Sequence, residues 1–362
     1  MATLPSPGFQ PFPSPPISIS KRSFFVAGII SSVYGIDELP KHISEVACLW
    51  LLHPRLKSRA DMEFVADAVL RGWYRRLEDG SAGDSPKGLI AVSFDGRNHG
   101  SREFTPSANE AWRAGNETHA QDMLSTYHGT ALDASILMLY LPSFIFPDSK
   151  KSITTNLVLG VSLGGHGAWL SLLHEPSVTA AIIVIGCPDY VRLMSHRAAK
   201  SKRPSWVDTS PQGASFIGST DFPGSLLAAV KKYDPAGLLM GQLDSDDYSR
   251  KPSDKEIQRL RPLMHDHLAN KKILNLAGGA DKLVPYSCSE PFLAFLSRAV
   301  EKDTGWFADG GVGLTNKVFE GVGHEMTLEM LHEAVEFVAD VLTAGPSDGS
   351  GVPAGERDYP KI

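Results

Sequence analysis

Cysteine is scarce in this chain of 362 residues, which contains only Cys48, Cys187 and Cys288. The number is odd, the three positions lie far apart, and none belongs to a C-x-x-C pair. The sequence therefore predicts neither a disulfide framework nor a zinc site. We expect the protein to work in a reducing compartment.

Long apolar runs and basic blocks are also missing. The longest apolar run, residues 136–146, is interrupted by Pro142 and is about half of the roughly 20 residues that a membrane helix needs. The formal net charge is −6, which argues against binding to nucleic acid or to an anionic membrane surface. We expect no membrane span and no nucleic-acid partner, whereas the oligomeric state stays open.

The two ends of the chain differ in composition from the rest. Residues 1–19 are rich in proline and serine and lack the apolar core of a signal peptide, which predicts a disordered tail and a cytoplasmic location. Residues 344–362 are rich in glycine, proline and serine, which predicts a second flexible tail. We expect residues 20–343 to form one large domain.

Within that domain, short apolar runs alternate with segments of helical periodicity. The runs at 46–52, 88–94, 157–161, 180–185 and 272–277 are typical of buried strands. We also predict one strand over residues 23–32 and a helix over residues 108–140. Alternating strands and helices indicate an α/β fold whose mostly parallel sheet is covered on both faces and binds ligands at the carboxyl ends of its strands.

Residues 190–270 do not follow this alternation. They consist of short amphipathic pieces with many serine, proline, glycine and aromatic residues. We interpret this segment as a lid over the strand ends, and expect Trp206 and Phe222 in it to contact a substrate.

The sequence GVSLGG at residues 160–165 combines a preceding apolar strand with a following helical pattern. A serine at such a strand-to-helix turn is exposed only if it adopts a strained backbone with positive φ. Glycines on either side prevent crowding, and the helix amino terminus offers N–H groups to a developing oxyanion. Ser162 is therefore the candidate nucleophile.

A serine nucleophile needs a base and a carboxylate that orients the base. Asp281 follows the 272–277 strand in GGADKLVP, and His324 precedes the last helix in GVGHE. The only other histidine downstream of Asp281 is His332, which lies well inside a predicted helix. The order Ser162, Asp281, His324 thus supplies all three groups.

These motifs, together with DGRNHGS at residues 95–101, resemble those of the α/β-hydrolase superfamily over residues 20–343. The resemblance implies an eight-stranded, mostly parallel sheet with helices on both faces, a lid inserted after the sixth strand, and a serine mechanism without cofactor or metal.

One segment departs from the pattern of that superfamily. Many members have His-Gly after the third strand and complete the oxyanion hole with a nearby N–H, whereas this chain has His53-Pro54. Proline has no N–H to donate. We expect the N–H of Leu163 to be paired with that of Arg55, with Leu56 as the alternative donor. His53 and Leu56 are further candidates for contact with substrate.

The sequence thus predicts a carboxylesterase-like serine hydrolase that cleaves a small-molecule ester or thioester through an acyl-enzyme. An acyltransferase or a small-peptide hydrolase would use the same groups. A dehalogenase or epoxide hydrolase would need aspartate in place of Ser162. A non-catalytic binding protein of the same fold is the alternative from another class.

Overall fold

The computed structural model describes residues 19–344. The two predicted tails, 1–19 and 344–362, lie outside the described residues except for their innermost positions, 19 and 344. Eight strands form one sheet: β1 Lys21–Val26, β2 Ile29–Tyr34, β3 Glu45–Leu52, β4 Gly88–Phe94, β5 Ser152–Val161, β6 Val178–Val184, β7 Lys272–Gly278 and β8 Gly313–Phe319.

The strand order in the sheet is β1-β2-β4-β3-β5-β6-β7-β8. Strand β2 pairs antiparallel with β1 and with β4. All other neighbours are parallel. The predicted mostly parallel, eight-stranded sheet is confirmed.

The described helices, numbered in chain order, are α1 Glu63–Asp79, α2 His119–Ile145, α3 Leu163–His174, α4 Tyr190–Lys200, α5 Pro204–Val207, α6 Gly224–Tyr233, α7 Pro235–Leu239, α8 Asp254–Leu268, α9 Tyr286–Val300 and α10 Leu328–Thr343. None of them is long and apolar enough to cross a membrane.

Helices cover both faces of the sheet, and alternate residues of a strand face opposite sides. In β3, Leu49 belongs to the apolar core beneath α1 and α10. Its neighbour Trp50 belongs to the core that α2, α3, α8 and α9 complete on the other face. Because a central parallel strand is buried on both sides, it is apolar throughout.

The predicted strand over residues 23–32 is wrong, because the segment is a hairpin. It turns at Ala27 and Gly28, whose φ angles are +50° and +79°. Two residues with positive φ form the tight turn whose twist matches antiparallel strands. The apolar run on either side conceals this turn.

The predicted helix over residues 108–140 is wrong in its first part, since α2 begins only at His119. Residues 106–109 and 112–114 form short 3-10 turns. The Asn116 side chain ties them together, because its Nδ2 donates to the carbonyls of Ala108 and Glu110, both at 3.1 Å. These bonds satisfy carbonyls that a continuous helix would have used internally.

The segment expected to be a lid divides into two parts. Helix α8 carries Leu260, Met264 and Leu268 into the core beneath the sheet, so it is a layer helix that leads into β7. Helices α4 and α6 instead contribute to a separate apolar cluster that contains Leu163 and Leu170 of α3. The proposal of a lid therefore applies to residues 190–233 only.

Candidate active site

The turn between β5 and α3 holds Ser162 in a strained backbone conformation, with φ +56° and ψ −112°. Its N–H donates to the Val184 carbonyl at 2.9 Å, and its own carbonyl accepts from His166 N–H at 3.1 Å. The end of β6 and the first turn of α3 thus hold the strained geometry in place. The serine side chain projects from the carboxyl end of the sheet, at the amino terminus of α3.

Glycines beside Ser162 allow this turn to close. A Cβ added to Gly160 would lie 1.9 Å from the Gly164 carbonyl oxygen, and one added to Gly164 would lie 2.0 Å from that of Leu52. Both obstacles are backbone atoms, which cannot rotate away. The contact with Leu52 also packs the elbow directly against the end of β3.

We expect Gly164→Ala to lower the free energy of unfolding by about 1 to 3 kcal/mol, because the added methyl group must push the end of β3 away from α3. Thermal and urea unfolding measure the change. Gly224→Ala is the matched control, since a Cβ there meets no atom of the described residues within 4 Å. If the two variants are equally stable, the close contact at Gly164 is not rigid.

Three side chains from distant parts of the chain form a continuous hydrogen-bonded row. Ser162 Oγ lies 2.7 Å from His324 Nε2, across 162 positions of sequence. His324 Nδ1 lies 2.7 Å from Asp281 Oδ2. The other carboxylate oxygen, Oδ1, accepts the N–H groups of Leu283 and Val284 at 2.8 and 2.9 Å.

Burial differs along this row. The Asp281 side chain is fully buried, whereas 18% of the His324 side chain is exposed. Both loops follow adjacent parallel strands, β7 and β8, and the Ala280 N–H donates to the Val322 carbonyl at 2.9 Å. A substrate can therefore reach the serine and the imidazole but not the carboxylate.

The turn after β3 lies next to the elbow and carries the other candidate N–H donors. Among the described residues, neither Arg55 N–H nor Leu56 N–H has an acceptor. Leu56 has a φ of +62°, and its side chain is exposed. The N–H of Leu163 belongs to the first turn of α3, where no intrahelical acceptor exists.

His53 is buried and bonded on both ring nitrogens, so it faces the protein. Nδ1 lies 2.7 Å from the Pro54 carbonyl, and Nε2 accepts Gly96 N–H at 2.9 Å. Burial lowers its pKa to about 4, so the neutral ring donates from Nδ1 and accepts at Nε2. We assign His53 to holding the turn after β3 rather than to contact with substrate.

Asp95, in the segment DGRNHGS, supports the same turn from the other side. Its Oδ1 accepts Arg59 N–H at 2.8 Å, and its Oδ2 accepts the Ser101 hydroxyl at 2.6 Å. The buried carboxylate also pairs with the Arg59 guanidinium. The loop after β4 thus anchors the chain just beyond Arg55.

The aromatic residues expected to contact substrate, Trp206 and Phe222, pack in the same apolar cluster as Leu163. Phe222 is fully buried and packs against Phe216, with ring centroids 5.5 Å apart. Trp206 is half-buried, 5.8 Å from the same ring. Trp206 is thus partly accessible to a substrate, whereas Phe222 is not.

Sequence reasoning missed Arg197, because it occupies an interior position of α4 in the irregular segment and belongs to no motif. Its Nη2 donates to the Leu283 carbonyl at 3.2 Å, next to the Asp281 loop.

Among residues 19–344, no group of three or more histidine, cysteine, aspartate or glutamate side chains is arranged to hold a metal ion.

Comparison with known proteins bears on the fold. No family profile matches the sequence, and no curated protein matches it. Among solved structures, TT1662 from Thermus thermophilus is 18% identical with a TM-score of 0.52, and the match covers 90% of this chain and 99% of that one.

Two further matches are more distant. An esterase from Pyrobaculum calidifontis is 15% identical with a TM-score of 0.46, covering 91% of this chain and 86% of that one. An acylaminoacyl peptidase from Pyrococcus horikoshii is 11% identical with a TM-score of 0.47, covering 93% of this chain but only 43% of the peptidase. The strand order, the helices on both faces and the similarity to TT1662 together show that this chain has the α/β-hydrolase fold.

Proposed function

We propose that the protein is a serine hydrolase that cleaves a carboxylic ester or thioester through an acyl-enzyme. One observation carries the proposal, namely the row from Ser162 Oγ through the His324 ring to Asp281, with 2.7 Å at each step. A hydroxyl bonded to an imidazole that a carboxylate orients is the arrangement that activates serine for attack on a carbonyl.

In the proposed reaction, Ser162 Oγ attacks the carbonyl carbon while His324 Nε2 takes the hydroxyl proton. The imidazolium then gives this proton to the leaving alcohol or thiol, which departs and leaves an acyl-serine. Water attacks the acyl group, His324 takes a proton from it, and the acid leaves as Ser162 regains the proton. Asp281 stays ionised and stabilises the imidazolium.

The negative oxygen formed in each addition step needs N–H donors. We propose Leu163 N–H as one donor because it lies in the first turn of α3. We propose Arg55 N–H as the other because Pro54 has none and the turn after β3 packs against Gly164.

Arg55→Pro is expected to lower kcat by about two to three powers of ten, because it removes one of two oxyanion donors. Arg55→Ala is the matched control, since it truncates the side chain and keeps the N–H. Both are assayed with an uncharged p-nitrophenyl ester after circular dichroism has verified folding. Equal activity of the two variants would assign the donor to Leu56 or to another group.

Labelling with a fluorophosphonate probe tests the proposed function directly. The probe should attach covalently to Ser162, and mass spectrometry of the digested protein locates the site. A folded protein that hydrolyses no ester or thioester and stays unlabelled would instead be a binding protein. Transfer of the acyl group to an added alcohol or amine, at the expense of hydrolysis, would identify an acyltransferase.

A further inference from the structure

Most arginines in the described part of the chain have a carboxylate partner, and those that do not fall into two groups. Within residues 19–344, the arginines without a carboxylate oxygen within 4 Å are Arg55, Arg75, Arg113, Arg197 and Arg298. Three of them are exposed to water, whereas Arg55 and Arg197 are half-buried. A half-buried guanidinium without a counter-ion is costly unless something else neutralises it.

Both guanidinium groups are held by uncharged acceptors. Arg55 Nη1 donates to the Asn109 carbonyl. Arg197 Nη1 lies 3.2 Å from His119 Nε2 and 2.9 Å from Met123 Sδ, and Nη2 donates to the Leu283 carbonyl. These contacts fix both groups in place, and none of them is with a carboxylate oxygen.

The two cations converge on one short stretch of chain. Arg55 donates to the carbonyl of Asn109. The carbonyl of the next residue, Glu110, lies 2.9 Å from Nδ1 of His119, whose other ring nitrogen contacts Arg197. Burial and the nearby charge of Arg55 lower the pKa of Arg197 to about 10, although Tyr190, Cys187 and Asp281 act in the opposite direction. Burial also lowers the pKa of Arg55, which Glu110 partly offsets.

This pair lies beside the reacting groups. Arg55 is in the turn that packs against the elbow, and Arg197 bonds to Leu283, whose N–H donates to Asp281. Asp281 itself is paired with His324. An anion held by these two arginines would therefore lie close to the loops that carry the reacting groups.

We propose that Arg55 and Arg197 bind a carboxylate or phosphate group of the substrate, so that the enzyme acts on anionic esters. The inference rests on the proposed function for its substrate, but the binding of the anion can be measured without catalysis. Guanidinium groups suit this role because their N–H donors match the oxygens of carboxylates and phosphates.

Matched substrates isolate the charge. Monoethyl glutarate carries a carboxylate on its acyl side, and its carboxamide analogue carries an uncharged amide there. Acetoxyacetate and acetoxyacetamide differ in the same way on the alcohol side of the ester. In a pH-stat assay, one pair should show kcat/KM about ten- to a hundredfold higher for the anion. Neither pair showing a preference would overturn the inference.

The variant Arg197→Met should reduce that preference at least about tenfold, whereas Arg197→Lys should restore part of it. Lys200→Met is the control, because it removes an exposed positive charge from the same helix. If Arg197→Met unfolds, Arg55→Met carries the same test, since it keeps the backbone N–H. An unchanged preference in a folded variant would make these arginines purely structural.

Calorimetry on the Ser162→Ala protein separates this inference from the proposed function. Glutarate or inorganic phosphate should bind, and Arg197→Met in that background should abolish binding. The tighter ligand identifies the anion as carboxylate or phosphate. Anion binding by this variant together with no esterase activity in the wild-type protein would uphold the anion site and reject the hydrolase. Esterase activity in the wild-type protein without anion binding or preference would uphold the hydrolase and reject the anion site.

Discussion

Replacing Ser162 with alanine is expected to lower hydrolysis of a short p-nitrophenyl ester by about 10⁶-fold in kcat. The substitution removes only the Oγ atom, whose hydrogen-bond partner is His324 Nε2 at 2.7 Å. The remaining groups act as a unit with the nucleophile, so little of their effect survives without it. Steady-state kinetics and fluorophosphonate labelling should both show the loss.

Ser171→Ala is the matched control for this variant. Ser171 lies in the same helix and is buried, and its Oγ has no hydrogen-bond partner among residues 19–344. The control should keep wild-type activity. Substantial activity in folded Ser162→Ala would identify another nucleophile and reject the proposed mechanism.

The second large effect is expected from Asp281→Asn, which should lower kcat by about 10⁴-fold. Oδ1 of Asp281 accepts two backbone N–H groups, so an asparagine would keep its oxygen there and turn its NH₂ toward His324. The ring would then have to accept at Nδ1 and carry its proton on Nε2. In that tautomer it cannot take the proton of Ser162.

This effect is measured by ester kinetics together with the rate of fluorophosphonate labelling. The Asp281→Asn protein should label slowly at Ser162, and Ser162→Ala should not label at all. A loss of less than tenfold would mean that another carboxylate orients the base. Unfolding curves of the variant verify that it is folded and as stable as the wild type.

The sheet was well predicted wherever strands are buried on both faces. The apolar run at 88–94 coincides with β4, and the run at 46–52 differs from β3 by one residue. Central parallel strands read as continuous apolar runs because both sides face the core. The hairpin at Ala27 and the turns before His119 were missed because they depend on positive φ angles and on side-chain bonds such as those of Asn116.

For the site, local sequence was enough wherever neighbouring residues determine the geometry. The glycines around Ser162 predicted a strained turn, because only residues without a Cβ let backbone atoms approach so closely. The position of Asp281 and His324 after strands predicted that they would reach the same edge of the sheet.

Only the tertiary structure decided how these groups meet. The distances that join Ser162, His324 and Asp281 depend on the strand order, which brings β5, β7 and β8 loops to one edge. The inward placement of His53 depends on the loop after β4, and the positions of Arg55 and Arg197 depend on the 3-10 turn at Asn109 and on His119 of α2. No periodicity encodes those contacts, because each joins residues far apart in the chain, whereas the buried strands and the glycine-rich turn were determined by the sequence itself.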